Sequence, residues 1–286
     1  MREDFTVFIL THGRADRVDT IKTLRKSGYT GPIWLVIDNE DEQRPEYEKL
    51  PVTGVYVFDK AEEMKRTDTE DNFANHKLVV YARNRIHEIA AGLGFEYFLM
   101  LDDDYKTIDY RYIDGNSLRS KSIKDADKIF ELYVDFLEVS GARTVCFSQA
   151  GDFIGGATNG NFKKQVLRKA MNSFFCKTDR PFKFTGSTNE DVNMYITLGM
   201  RGELCFTVAY IAVTQHMTQE NKGGLTDIYL EDGTYVKSFY SVICQPSCAM
   251  VKMMGEKHRR IHHQIKWNNC CPKIINEKYR KMLQED

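Results

Sequence analysis

The chain has 286 residues, with 40 lysines and arginines against 41 aspartates and glutamates, for a formal charge of −1. That length suits one large domain or a domain with an appendage, and the even balance excludes binding of nucleic acid by bulk charge alone. No run of about 18 apolar residues offers a membrane span, and no secretory h-region follows the amino terminus. The seven cysteines form an odd set, so a reduced, cytoplasmic protein is expected.

Val7–Leu10 reads as a short apolar strand ending in Thr11-His12-Gly13-Arg14. Val18, Ile21 and Leu24 then mark a helical face closed by Gly28. Ile33–Ile37 is a second strand, ending at Asp38, and Val55–Phe58 a third. Leu78, Ala82, Ile86 and Ile89 mark a helix closed by Gly92. Tyr97-Phe98-Leu99-Met100-Leu101, apolar on both faces, reads as a strand covered on both sides and followed by Asp102-Asp103-Asp104. Ala126, Ile129, Phe130, Tyr133 and Leu137 predict a helix stopped at Gly141, and Thr144–Phe147 a strand. The Gly- and Asn-rich stretch 151–161 reads as a loop or tight hairpin. A helix starts at Glu190-Asp191, and a long strand, Leu204–Val213, leads into Thr214-Gln215-His216. Asp227–Cys244 reads as a hairpin, and residues 244–286 as a basic extension.

Strands separated by helices predict an α/β fold of Rossmann type. Its mostly parallel mixed sheet, flanked by helices, forms a single domain over residues 1–243. The C-terminal strand ends gather Thr11–Arg14, Asp38 and Asp102–Asp104 at one crevice, where open α/β sheets hold ligands. No G-x-G-x-x-G follows the first strand, which disfavours a dinucleotide dehydrogenase. Three crowded carboxylates repel one another, and a divalent cation relieves them. The bland alternatives are a solvated acidic loop for the aspartates and a capped helix start for Thr188-Asn189-Glu190-Asp191. For His216 the bland alternative is a structural histidine. Cys244-x3-Cys248 with His258, His262, His263, Cys270 and Cys271 holds zinc-type ligands at spacings that match no standard finger.

In this order the motifs resemble the GT-A class of nucleotide-sugar-dependent glycosyltransferases, over roughly residues 5 to 217. FILTHGRADRV looks like that class's first nucleotide-contacting loop, and Asp38 is similar to the aspartate that reads the base. The resemblance implies a donor half at about 1–105 and an acceptor half at about 106–243. Donor contacts would come from Thr11, His12, Gly13, Arg14, Asp38, Asp102 and Asp103, with Arg83 or Arg85 reaching the diphosphate. Asp104, His216 and Asp102 would ligate Mn²⁺ (or Mg²⁺), the imidazole favouring Mn²⁺. Asp191 would be the base for the acceptor hydroxyl, with Glu190 holding sugar or acceptor, and a single aspartate base implies inversion.

The general character is also similar to phage glycosyltransferases that act on hydroxymethylated pyrimidines in DNA, including those associated with TET-like oxygenases. That resemblance implies a UDP-sugar donor, double-stranded DNA as acceptor and a bacterial host cytoplasm. Lys183 and the basic, aromatic C-terminal stretch with Arg259, Arg260, Lys266 and Trp267 would then meet DNA. A GT-A enzyme acting on a surface glycan, lipid or protein would keep the same carboxylates. A nucleotidyltransferase would need a lysine that the first loop lacks, and a non-catalytic nucleic-acid-binding protein would have no use for the aspartate cluster.

Overall fold

Phe5–Leu10 (β1), six residues with no exposed side chain, is the spine of a ten-stranded sheet. The computed structural model describes residues 1–71, 77–153, 156–216, 238–254, 260–272 and 274–280. β1 pairs in parallel with β2 (Ile33–Asp38) and β4 (Tyr97–Asp102), and β2 pairs in parallel with β3 (Gly54–Phe58). Beyond β4 come β9 (Phe174–Lys177), β7 (Thr144–Gln149), β10 (Cys205–Gln215), β5 (Tyr105–Asp114) and β6 (Ser117–Ser122). There β7 and β10 are parallel to each other, whereas β9, β5 and β6 are antiparallel to their neighbours; a short β8 (Val166–Leu167) hangs antiparallel on β10.

Helices on both faces explain the continuous apolar strands. Phe5, Val7 and Ile9 point to one core, with Ile21 and Leu24 of α1 (Asp19–Lys26) and Phe130, Tyr133 and Leu137 of α5 (Ala126–Ser140). Phe8 and Leu10 point to the other, with Ile86 and Ile89 of α4 (Val79–Gly92) and Val192 and Ile196 of α7 (Glu190–Met200). The expected α/β sheet flanked by helices is therefore present. Gly28 and Gly141 take the left-handed conformation at the ends of α1 and α5, as their positions predict.

Some local expectations change. α4 continues through Gly92, and Gly94 makes the left-handed turn (φ +81°). Stretch 151–161 is neither open loop nor hairpin: it holds 3₁₀ turns and a short helix, α6 (Gly160–Lys164), whose start the Asn159 side chain caps. Of the hairpin expected at Asp227–Cys244, residues 227–237 lie outside the described residues, and residues 238–244 are helical (α8). Ser238 and Ser241, three positions apart, are both buried on one side of α8, a helical spacing that strand alternation would not give. β9 and the β5–β6 hairpin are not visible in the apolar pattern, the first for its shortness and the second for its many charges.

The extension lies across α7. It comprises a hairpin, β11 (Ala249–Met254) and β12 (Arg260–Ile265), and α9 (Trp267–Cys270). Gln245 donates to Thr197 Oγ1 (2.9 Å), and Trp267 stacks on Tyr195 with centroids 5.8 Å apart. Gly199 permits this contact, because a Cβ there would stand 2.2 Å from the Cys270 carbonyl oxygen. Among the described residues, no helix is long and apolar enough to cross a membrane.

Glu203 clasps the chain end. It takes Arg143 Nε (2.8 Å), Lys278 Nζ (2.6 Å) and the Tyr279 hydroxyl (2.8 Å). Burial pushes its carboxyl up, but these donors outweigh that and hold it down at about 2. A carboxylate held below its unfolded value of about 4.3 stabilises the fold fully above that pH, and the contribution is lost as pH falls toward 2. Glu203→Gln is expected to lower unfolding free energy by about 2–3 kcal/mol at pH 7 and by roughly half that at pH 3. Urea denaturation at both pH values checks this, and equal losses would contradict it.

Candidate active site at the C-terminal edge of the sheet

β1, β2 and β4 run parallel, so Thr11, Asp38 and Asp102 emerge on one edge, and β10 delivers Gln215 there. At the end of β4 the chain turns at Asp103 and Asp104 and leaves as β5. Thr20, in the first turn of α1, holds that turn. Its N–H donates to the Asp103 carbonyl (3.2 Å), its hydroxyl donates to the Asp102 carbonyl (2.7 Å), and its oxygen accepts the Tyr105 N–H (3.0 Å).

The three aspartates do different things. Asp103 is buried and turned onto the first loop, where it accepts Thr11 Oγ1 (2.7 Å) and Arg14 Nη1 (3.2 Å). It braces the loop and spends Arg14 in doing so. Asp102 accepts Arg83 Nη2 (3.2 Å), and Arg83 Nη1 pairs with Glu190 at 3.1 Å. Arg83 is itself buried, with its guanidinium over the rings of Phe174 and Phe184. Gln215 Nε2 lies between Asp102 Oδ2 (3.4 Å) and Asp104 Oδ1 (3.3 Å), and its own Oε1 accepts Asn172 Nδ2 (2.9 Å).

Burial raises the Asp102 carboxyl, opposed by Arg83, and burial raises Asp103, opposed by Arg14 and Thr11. Asp104 is pushed up to about 6 by burial and by the charges of Asp102 and Asp103. Among the described residues no side chain pairs Asp104 with a full positive charge of its own, so a cation is its natural relief. Among the described residues, no three acid, histidine or cysteine side chains converge on one point. Mg²⁺ or Mn²⁺ commonly takes one or two carboxylates, with phosphate oxygens and water completing the shell. Asp102 and Asp104, bracketing one amide, fit that kind of ion and not a closed protein cage.

His216 is placed otherwise than expected. Its N–H donates to the Asp104 carbonyl (3.3 Å), but its ring Nε2 sits 3.1 Å from Asp19. Neighbouring residues of a strand point to opposite faces, and at this end of β10, where the pairing skips Lys106 of β5, it is Gln215 that faces the carboxylates.

The first loop and β2 build a second charged network. His12 Nδ1 stands 2.8 Å from Asp38 Oδ2, and buried Lys60 stands 3.0 Å from Asp38 Oδ1 and 3.1 Å from Glu40. Burial alone would raise Asp38, but His12 and Lys60 bring its carboxyl below the usual value, and Asp38 raises the His12 imidazole. Gly13, at φ +64°, donates its N–H to Asp41 (2.8 Å), and the Arg14 N–H donates to the Tyr47 hydroxyl (2.8 Å). Lys60, Asp41, Tyr47, Thr20 and Gln215 escape a motif-based reading. Lys60 had one signal, its place two residues beyond a strand ending on this edge.

On the opposite wall, Glu190 and Asp191 are buried in the first turn of α7. The capped helix start does not form: Asn189 is left-handed (φ 54°) and makes no side-chain cap, and buried Thr188 Oγ1 has no hydrogen-bond partner among the described residues. Asn189 Nδ2 instead lies 3.4 Å from both Ser241 Oγ and His263 Nδ1, so the extension holds the start of the helix. Asp191 Oδ1 accepts the Val192 N–H (2.7 Å), and its other oxygen carries no hydrogen bond among the described residues.

Other expected residues lie elsewhere. Arg85, two positions beyond Arg83, leaves α4 on the other side, where it meets Glu88 (2.6 Å) and Glu63 (3.9 Å). Lys183 also pairs with Glu63 (3.9 Å). Trp267 has one face on Tyr195, the Lys266 N–H donates to the Cys248 carbonyl, and Arg260 starts β12; Arg259 and His258 lie outside the described residues. Cys248 and Cys270 are buried, and no metal-type cluster forms around them among the described residues.

Arg83 neutralises buried Glu190 and half-buried Asp102 at once. Arg83→Met is expected to cost about 3–5 kcal/mol of stability, because both acids lose their counter-ion and Glu190 is left buried without one. Denaturant titration of the purified variant checks this; a loss under about 1 kcal/mol would mean that the pair is solvated.

A family model described as TET-Associated Glycosyltransferase matches residues 5–224. No curated protein matches the chain. Solved structures similar to it include a mycobacterial protein at 11% identity and TM-score 0.46, covering 91% of this chain and 83% of its own. GalNAc-T7 with UDP, GalNAc and Mn2+ is similar at 12% identity and TM-score 0.39, covering 74% of this chain and 43% of its own. Both likenesses are too distant to bear on function. The family match spans most of the chain and contains every residue from Thr11 to His216 that the crevice uses, and the chain belongs to the TET-associated glycosyltransferase family.

Proposed function

We propose that this glycosyltransferase moves a sugar from a UDP-sugar to the hydroxymethyl group of a modified pyrimidine in double-stranded DNA, with inversion, in a bacterial host cytoplasm. The observation that carries the reading is the buried Arg83 link, which sets the donor-side Asp102 and the acceptor-side Glu190 around one guanidinium. The family's association with TET-like oxygenases favours the DNA acceptor.

Asp102 and Asp104 would hold Mn²⁺ (or Mg²⁺), which when bound neutralises the charge on the departing diphosphate. Asp38, fixed by His12 and Lys60, is the donor-base contact at the far end of the crevice. The acceptor oxygen bonds to the anomeric carbon as the bond from that carbon to the diphosphate breaks on the opposite face. The hydroxyl proton passes to the Asp191 oxygen that accepts no hydrogen bond among the described residues. Arg83 holds Glu190 in place beside that base, where it can hold sugar or acceptor hydroxyls. Water is limited by the burial of Glu190, Asp191 and Asp103.

UDP- and GDP-sugars screened by thermal shift with Mn²⁺ test the donor. A metal-dependent rise is expected for a UDP-sugar and is expected to vanish in Asp104→Asn; no rise across the panel would overturn the reading. Mass analysis of nucleosides from hydroxymethylcytosine DNA tests the acceptor. Asp191→Asn should slow transfer by about 10²–10⁴-fold while the donor-induced shift persists.

A further inference from the structure

The β5–β6 hairpin, which no sequence motif singles out, carries an aromatic and basic surface. Tyr110 and Tyr112 of β5 stack with centroids 6.1 Å apart and planes 13° apart, and Tyr210 of β10 continues the stack at 6.4 Å and 14°. Across the hairpin, Tyr110 pairs directly with Lys121 and Tyr112 with Arg119, so each ring has a basic neighbour on its own face. Phe162 of α6 meets Tyr210 edge-on at 5.7 Å, which brings exposed Lys163 and Lys164 to the same region. Tyr110 remains 43% exposed at the surface of the stack.

Nearby acids are already engaged. Asp109 accepts Thr107 (2.6 Å) and Ser122 (2.8 Å), Asp114 pairs with Arg119 (2.7 Å), and Asp152 pairs with Lys169. Lys121, Lys163 and Lys164 have no carboxylate partner among the described residues. A neutral glycan has no use for such a surplus. Phosphates alternating with flat sugar-base units fit both halves of the surface.

We propose that this surface binds the DNA acceptor strand away from the reacting base, lysines on phosphates and Tyr110 against a sugar or base. The inference rests on the DNA-acceptor reading above and gives it a location different from the C-terminal extension. β5 leaves the aspartate turn at Tyr105, and Tyr110 lies five residues along, roughly 16 Å at the rise of a strand. That places the contact roughly five base steps along from the aspartate turn.

The test uses a fluorescently labelled DNA duplex carrying one central hydroxymethylcytosine, titrated with the full chain at several salt concentrations. Replacing Lys121, Lys163 and Lys164 together by alanine is expected to weaken binding at least about tenfold and to flatten the salt slope by about 2–3. Tyr110→Ala is expected to weaken it about tenfold by loss of stacking. Both should keep the UDP-sugar and Mn²⁺ thermal shift, and Lys22→Ala with Lys26→Ala on α1 should bind as the parent does. If the parent modifies DNA and the lysine variant binds with unchanged affinity and slope, the surface is wrong and the acceptor reading stands. If the parent shows the donor shift yet neither binds nor modifies DNA, the acceptor reading falls and the surface with it.

Discussion

Arg83 is the interaction on which the site depends. A guanidinium taken out of water is tolerated only where its charge is met on more than one side. Here Asp102 meets it from the end of β4 and Glu190 from the start of α7, with Phe174 and Phe184 closing over it. The next residue, Asn84, makes paired amide bonds with Phe184, accepting its N–H and donating to its carbonyl (2.8 and 3.0 Å). Two successive residues of α4 thus fix both the end of β4 and the loop that leads into α7. The carboxylates are held before any ligand arrives, which is the condition for electrostatic preorganisation.

That condition sets the uneven roles of Asp102, Asp103 and Asp104. A tight turn bound to Thr20 cannot point three adjacent side chains the same way. Asp103 goes inward to Thr11 and Arg14 and fixes the first loop, Asp102 goes to Arg83, and among the described residues Asp104 is left with an amide. The neighbour with the least compensation has its carboxyl raised to about 6. Stored repulsion of this kind is a cost to the ligand-free fold that a cation removes.

The C-terminal extension belongs to the same economy of support. It meets α7 along its length, at Asn189, Tyr195, Thr197 and Gly199, and Glu203 anchors the chain end just past the helix. An N-terminal helical turn bearing two buried acids and no side-chain cap gains its rigidity from outside. Part of the extension expected to meet DNA therefore packs on the helix of Glu190 and Asp191, through Gln245, His263 and Trp267.

The sequence by itself determined the parallel core, because strands buried on both faces must be apolar throughout, as Phe5–Leu10 and Tyr97–Leu101 are. It also determined the carboxylate landmarks, because acidic residues at the C-terminal ends of such strands fall on one edge by topology. Which of those residues meet was decided only by tertiary structure. Arg83 and Arg85 are equivalent in the sequence, but a helix sends them to opposite sides. Gln215 and not His216 stands at the aspartates because adjacent strand residues face opposite ways, and which of the two faces the crevice has no signature in composition. Lys60 reaches Asp38 and the tyrosine stack faces its lysines through pairings between strands and loops distant in the chain. Local spacing fixes elements and their ends; the partners of buried charge are set by packing across the whole sheet.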